Sequence, residues 1–247
     1  MVKGEEYKIS NQVRKSADSF QIKFCGFTRV EDVHAAIDAG VDAIGLNFYP
    51  KSPRYVTNTI AEQLVRAIDK RVLVVGVFVN EAWDTVEETR NSLSLDAIQL
   101  HGGERVHDVP VSPVAASVIK AMPWRAGSEE DSEMASEWTT NCKGSTLKGF
   151  LIDAYDPDQH GGTGRTTRWD LLNPRPVPLQ KTRLILAGGL TAQNVAQAIM
   201  IAKPDAIDTA SGIEVSPGIK SAKRMLEFMD AVQKAKVDGC PWLAEPL

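Results

Sequence analysis

The chain has 247 residues, with 28 Lys and Arg against 32 Asp and Glu, a net charge of −4. A hydrophobic fraction of 43% excludes a mainly disordered chain. The mild acidity, without any polybasic block, argues against dedicated nucleic-acid or membrane-surface binding.

Residues 1–20 are polar and charged and lack the apolar stretch of a secretory signal, so they read as an extension before the fold. No apolar run approaches the roughly 18–20 residues of a membrane span. Three cysteines, odd in number and widely spread, do not form a disulfide framework. These features predict a cytoplasmic protein. Short apolar runs then recur at Gln21–Cys25, Ala43–Phe48, Val72–Val79, Ala97–Leu100, Val114–Lys120, Lys148–Asp153, Arg183–Ala187 and Asp205–Asp208. Several are continuous and rich in Val, Ile and Leu, the pattern of parallel strands buried on both faces.

Helical spacing lies between them. Val30, Val33, His34 and Ile37 share one helical face, with Thr28 as a cap, Glu31 at capping-box distance and Gly40 as a stop. His34 then reads as a core-edge histidine. Ile60, Leu64, Ala67 and Ile68 repeat the spacing, as do Ile219, Ala222, Met225, Leu226, Met229 and Val232. Asn194–Ala202 follows Thr191 as a further helix, and Ala82–Asn91, Glu129–Asn141 and Arg168–Leu172 carry less regular patterns. The connection after Leu100 is turn-rich and predicts a short helix. No internal repeat is visible. The leader and the polar stretch Gly127–Thr146 read as solvated decoration.

Eight strand–helix units predict a parallel sheet with right-handed crossovers. The α/β class follows, as a single (β/α)₈ TIM barrel over residues 21–237 with a tail at 238–247; periodicity leaves a doubly wound open sheet as the alternative. In such barrels the active site lies at the C-terminal strand ends. The polar residues after the apolar runs are Cys25, Asn47, Asn80, Gln99 with His101, Lys120, Asp153, Gly188-Gly189, and Asp208 with Ser211-Gly212. Glycines let backbone N–H groups approach an anion, and the loops after strands seven and eight commonly hold phosphate. That makes Gly188, Gly189, Ser211 and Gly212 a candidate phosphate site. Gly162 and Gly164, in Gly161-Gly162-Thr163-Gly164, are candidates for a lid over it.

Cys25 and Asp153 end strands one and six, three steps apart through eight and seven. A carboxylate there suits a general acid, and a thiol suits a base if its surroundings favour thiolate. Arg54, in Lys51-Ser52-Pro53-Arg54, suits a substrate carboxylate. Gln99 and His101 can line the pocket. No His, Asp and Glu spacing reproduces a metal site, and there is no P-loop.

Taken in order, several motifs closely resemble the phosphoribosylanthranilate isomerase family of tryptophan biosynthesis. They are Lys23-Phe24-Cys25-Gly26-Phe27-Thr28, Phe48-Tyr49-Pro50-Lys51-Ser52-Pro53-Arg54-Tyr55-Val56, Val75-Gly76-Val77-Phe78-Val79-Asn80, Gln99-Leu100-His101-Gly102, Leu151-Ile152-Asp153, Gly161-Gly162-Thr163-Gly164, Leu186-Ala187-Gly188-Gly189-Leu190 and Asp208-Thr209-Ala210-Ser211-Gly212-Ile213-Glu214. The resemblance implies a barrel isomerase that takes N-(5-phosphoribosyl)anthranilate to 1-(2-carboxyphenylamino)-1-deoxyribulose 5-phosphate without metal or organic cofactor. It implies Cys25 as general base, Asp153 as general acid and Arg54 on the anthranilate carboxylate. The expected partner is this small molecule alone, with no nucleic acid or membrane, and the chain a monomer or homodimer. The competing readings are another phosphosugar barrel isomerase and a catalytically silent barrel that binds a phosphometabolite. A metal-dependent epimerase would need His and Asp ligands at strand ends, and the histidine-pathway isomerase an aspartate in place of Cys25.

Overall fold

The computed structural model describes residues 15–110, 116–125, 127–142, 147–153 and 168–237. Eight parallel strands close into a barrel in sequence order, each paired with its neighbours and the last with the first. They are β1 (Ile22–Cys25), β2 (Ala43–Asn47), β3 (Leu73–Phe78), β4 (Ala97–Leu100), β5 (Val118–Pro123), β6 (Leu147–Asp153), β7 (Leu184–Ala187) and β8 (Ala206–Thr209). The closing β1–β8 pair decides between the closed barrel and the open sheet. Around them lie α1 (Val30–Asp38), α2 (Asn58–Ile68), α3 (Trp83–Leu93), α4 (Glu129–Asn141), α5 (Val195–Ala202) and α6 (Ala222–Val237). Among the described residues after β4 there is only a 3₁₀ turn at Val106–Asp108, as the turn-rich sequence predicts.

The continuous apolar runs are explained by two burial environments. Alternate residues face the barrel interior, where Ala43, Leu73, Val75, Ala97, Ile119, Ala121, Leu151, Ile185, Ala187 and Ala206 form one cluster. Their neighbours Ile44, Val74, Ile98, Val118, Ile152, Leu186 and Ile207 pack outward in a second, larger cluster. A strand buried on both faces has no polar side to alternate.

The sequence does carry a short repeat. Asp-Ala-Ile opens β2 (Asp42-Ala43-Ile44), β4 (Asp96-Ala97-Ile98) and β8 (Asp205-Ala206-Ile207). In each copy the small Ala faces the interior and the Ile faces the helices. The aspartate clasps the strand before it in both directions. Asp42 N–H donates to Ile22 O at 3.1 Å while Ile22 N–H donates to Asp42 Oδ2 at 2.9 Å. The same exchange joins Asp96 to Val74 (2.9 and 2.8 Å) and Asp205 to Leu184 (2.8 and 2.7 Å). Strand starts are thereby satisfied at the floor of the barrel, where a buried unpaired N–H is costly.

Other expectations need correction. Thr28 does not cap α1: its hydroxyl donates to Gly218 O at 2.6 Å, and Arg29 occupies the cap position. His34 is exposed on α1, whose buried face is Asp32, Val33 and Ala36. Ile60 and Leu226 are exposed, and Ile219 belongs to a two-stranded hairpin (Glu214–Ser216 with Ile219–Lys220) rather than to α6. The fifth strand starts at Val118, later than Val114, so Lys120 lies mid-strand and points out of the barrel. The leader and Gly127–Thr146 are not simply solvated where described. Phe20 is buried with Ala17 in the interior cluster, under the Arg183 guanidinium at 4.9 Å, and α4 buries Asp131, Ala135 and Trp138. No described helix is long and apolar enough to cross a membrane.

Candidate active site

The C-terminal strand ends form the mouth. Cys25 ends β1 with its thiol directed inward, because it shares the interior face with Lys23 two residues earlier. Gly45 on β2 makes room for both: a Cβ there would lie 2.6 Å from Cys25 Sγ and 3.1 Å from Lys23 Nζ. Lys23 is fully buried, and its Nζ donates to Asp208 Oδ1 on β8 at 2.8 Å. Burial opposes the Lys23 charge, yet Asp208 and the Cys25 sulfur outweigh it and hold the ammonium above the ordinary lysine value. Burial pushes the Cys25 thiol up, with the Lys23 and Lys220 cations pulling the other way.

Asp153 ends β6, half-buried, between Pro123 of β5 and Ala187 of β7. On the ring, β6 and β1 are separated by β7 and β8, so the acid and base candidates flank those two strands. The loops after β7 and β8 interlock. Thr209 Oγ1 donates to Leu190 O at 2.7 Å, and a Cβ on Gly212 would sit 1.9 Å from that same carbonyl oxygen. Only glycine fits at this approach, and it brings Ser211-Gly212 against Gly188-Gly189-Leu190. Gly188 and Gly189 both have positive φ, 86° and 62°. The helix does not open directly on this loop: α5 begins at Val195, and Asn194 spans the gap by accepting from Thr191 N–H at 2.8 Å and donating to Gly189 O at 3.0 Å.

Gln99 and His101 meet at the end of β4, with Gln99 Nε2 2.8 Å from His101 Nδ1. Solvent reaches the ring, but the concave mouth crowds it, and burial holds its pKa below the ordinary histidine value against the pull of Asp153. Gln99 Oε1 is buried with no hydrogen-bond partner among the described residues. The His101 loop is held from behind. Glu104 accepts from Asn80 N–H (2.8 Å) and Gly102 N–H (2.9 Å), and pairs with the buried Lys120 at 2.8 Å. Lys120 Nζ also donates to Gly102 O at 2.6 Å. Lys120 therefore braces the mouth from outside the barrel and does not line it.

Arg54, in the loop after β2, is bound bidentately to Glu214, Nε to Oε1 at 2.8 Å and Nη2 to Oε2 at 2.6 Å. The sequence reading met Glu214 and Lys220 only as members of family motifs and gave neither a role. Nor did it select Lys23, although period-two alternation alone puts Lys23 and Cys25 on one face of the first strand. Gly162 and Gly164 lie outside the described residues. Among the described residues no cluster of three or more His, Cys, Asp or Glu side chains is arranged to hold a metal ion.

A closed eight-stranded barrel with an acid, a thiol and interlocked glycine loops at its mouth has the organisation of a barrel enzyme acting on a phosphorylated small molecule. Residues 22–231 match the family described as N-(5'-phosphoribosyl)anthranilate (PRA) isomerase. N-(5'-phosphoribosyl)anthranilate isomerase of Pseudomonas syringae pv. tomato is 42% identical over 210 residues, covering 85% of this chain and 96% of that protein. The Pelobacter propionicus enzyme of that name is 37% identical over 219 residues, covering 89% and 98%. The crystal structure of phosphoribosyl anthranilate isomerase from Thermotoga maritima superposes with a TM-score of 0.75 at 32% identity, covering 87% of this chain and 99% of that one. A crystal structure of the isomerase in complex with reduced 1-(o-carboxyphenylamino)-1-deoxyribulose 5-phosphate gives 0.72 at 31% identity, covering the same shares. The chain belongs to the N-(5'-phosphoribosyl)anthranilate isomerase family.

Proposed function

We propose that the mouth isomerises N-(5-phosphoribosyl)anthranilate to 1-(2-carboxyphenylamino)-1-deoxyribulose 5-phosphate, with Asp153 as general acid and Cys25 as general base. Asp153 protonates the furanose ring oxygen as the C1–O bond breaks, giving an open-chain Schiff base. Cys25 thiolate then removes the C2 proton, and the electrons move toward the iminium nitrogen to give an enolamine. Tautomerisation to the ketone completes an Amadori rearrangement with no net gain or loss of electrons. Each positioned acid or base contributes on the order of 10²–10⁴-fold in rate.

The observation that carries this reading is the flanking arrangement: Cys25 and Asp153 stand at strand ends on either side of β7 and β8, whose loops are locked together by Thr209 and Gly212. Backbone N–H groups around Gly188, Gly189, Ser211 and Gly212 receive the phosphate, with Gly162 and Gly164 as the lid. Remote binding energy at the phosphate orients the sugar between acid and base. Arg54 takes the anthranilate carboxylate, and Gln99 and His101 line the wall between. Burial still holds the Cys25 thiol up, and the Lys23 cation beside the sulfur opposes it in part, favouring the thiolate the reaction requires. The protein acts on this small molecule in the cytoplasm, as a monomer or homodimer.

The test is an assay with substrate generated in situ from anthranilate and phosphoribosyl pyrophosphate, coupled to the next enzyme of the pathway. Substrate fluorescence is expected to disappear only when the protein is present. Wild-type protein without turnover would overturn the isomerase reading.

A further inference from the structure

The Arg54–Glu214 pair bears on how this site grips a carboxylate. A guanidinium has five N–H donors in a rigid fork. Glu214 takes the Nε and one Nη2 hydrogen of Arg54, and nothing among the described residues is hydrogen-bonded to Nη1. The opposite edge of the fork is thus left for a second carboxylate. The stem of Arg54 is also fixed. It crosses Gly26, where a Cβ would come within 2.3 Å of Arg54 Cδ, and Gly26 has a positive φ of 80°.

Glu214 itself is nearly fully buried, at 4% exposure, and takes four hydrogen bonds. Besides the two from Arg54, Oε1 accepts from Lys220 Nζ at 2.7 Å and from Gly218 N–H at 3.1 Å. Those donors outweigh its burial and hold its carboxyl below the usual glutamate range, so it is charged at neutral pH. Lys220 Nζ carries the connection onward, donating to Cys25 O and, at 3.2 Å, to Ala210 O. One carboxylate therefore ties together the end of β1 that bears Cys25, the loop that bears Arg54, and the start of the Ser211-Gly212 loop.

We infer that Glu214 is the positioning residue of the carboxylate clamp: it holds one edge of Arg54 so that the other faces the anthranilate carboxylate, and through Lys220 it fixes that clamp relative to Cys25. This rests on the isomerase reading for the identity of the carboxylate. A buried pair of this kind gives modest net stability, because desolvation cancels much of the Coulomb attraction. The restraint it places on a long, flexible side chain is a separate contribution, and it acts on ligand binding.

The experiment measures binding by calorimetry, which does not depend on turnover. The probes are reduced 1-(o-carboxyphenylamino)-1-deoxyribulose 5-phosphate and its analogue lacking the ring carboxylate. Glu214→Gln keeps the shape and removes the charge, and is expected to weaken the carboxylate-bearing probe about tenfold, the effect of misaligning one strong hydrogen-bonded pair. The carboxylate-free analogue should bind wild type and variant within twofold. In kinetics the same variant should raise KM far more than it lowers kcat. Glu214→Asp, which keeps the charge, should recover part of the loss, and it serves as the test if the Gln variant does not fold. Equal weakening of both probes, or no weakening of either, would overturn the inference and leave Glu214 as a structural brace. A wild type that binds the first probe without turning over substrate would count against the isomerase reading alone.

Discussion

The floor and the mouth of this barrel both rely on carboxylates, and they use them differently. At the floor, Asp42, Asp96 and Asp205 accept hydrogen bonds from backbone N–H groups of the preceding strand, the same reciprocal clasp three times over. At the mouth, Asp208, Glu104 and Glu214 are paired with buried lysine or arginine side chains, each in a different arrangement. A backbone amide is fixed by the fold, so the floor can repeat one solution wherever the geometry recurs. A side-chain cation can be aimed, and the mouth uses that freedom to set the surroundings of Cys25, the His101 loop and Arg54 individually. The difference separates residues that brace the strand starts from residues gathered around the candidate site.

Substitutions should respect that division. The largest effect is expected from Asp153→Asn and from Cys25→Ser, each lowering kcat by about 10²–10⁴-fold. Their melting temperatures should stay close to wild type, since neither serves the floor. A Cys25→Ser enzyme with near-normal turnover would remove the thiol as base. Next is Phe20→Ala at the floor, where the buried ring should cost about 3–5 kcal/mol of stability in denaturant unfolding. The folded fraction should keep its kcat, and a lost kcat in fully folded protein would show that floor and mouth are coupled. Asp42→Ala should cost less, about 1–3 kcal/mol, for leaving Ile22 N–H and Gln21 N–H without their acceptor. An unchanged unfolding midpoint would mean that the clasp is not stabilising.

The smallest effect is in pH dependence. The Glu104 and Glu214 carboxyls are held low because their lysine, arginine and backbone partners outweigh burial. Folded-state values below the unfolded one mean that their stabilisation is present above about pH 4.3, the free glutamate value, and is lost as pH falls through the depressed values. Thermal melts between pH 6 and pH 3 should show a shallower acid loss in Glu214→Gln than in wild type. At the other end of the scale, a base whose pKa is raised by burial requires kcat/KM to climb with pH beyond the ordinary thiol value of about 8.5. A profile flat across that range would contradict Cys25 as the titrating base.

Much of the fold was legible because each strand is a short apolar run between turn residues, and because Glu129–Asn141 and the turn after Leu100 carried their own local signals. The shifts came where position depends on partners. Whether Lys120 faces in or out is a matter of where β5 starts, and pairing with β4 and β6 sets that start. Thr28 had the chemistry of a cap, but Gly218, 190 residues away, took its hydroxyl. The Asp-Ala-Ile repeat was in plain view yet too short to register as one until three identical clasps gave it a meaning.

The sequence by itself determined the kind of fold, the candidate residues Cys25, Arg54 and Asp153, and their order along the chain, because residue chemistry and period are local properties. Only the tertiary structure decided that the sheet closes, since closure is the pairing of β1 with β8. It alone brought Lys23 and Asp208 together beneath the thiol and set Glu214 against Arg54, 160 residues apart. The sign and strength of an electrostatic environment depend on distances and burial, and those come into being only when remote parts of the chain meet.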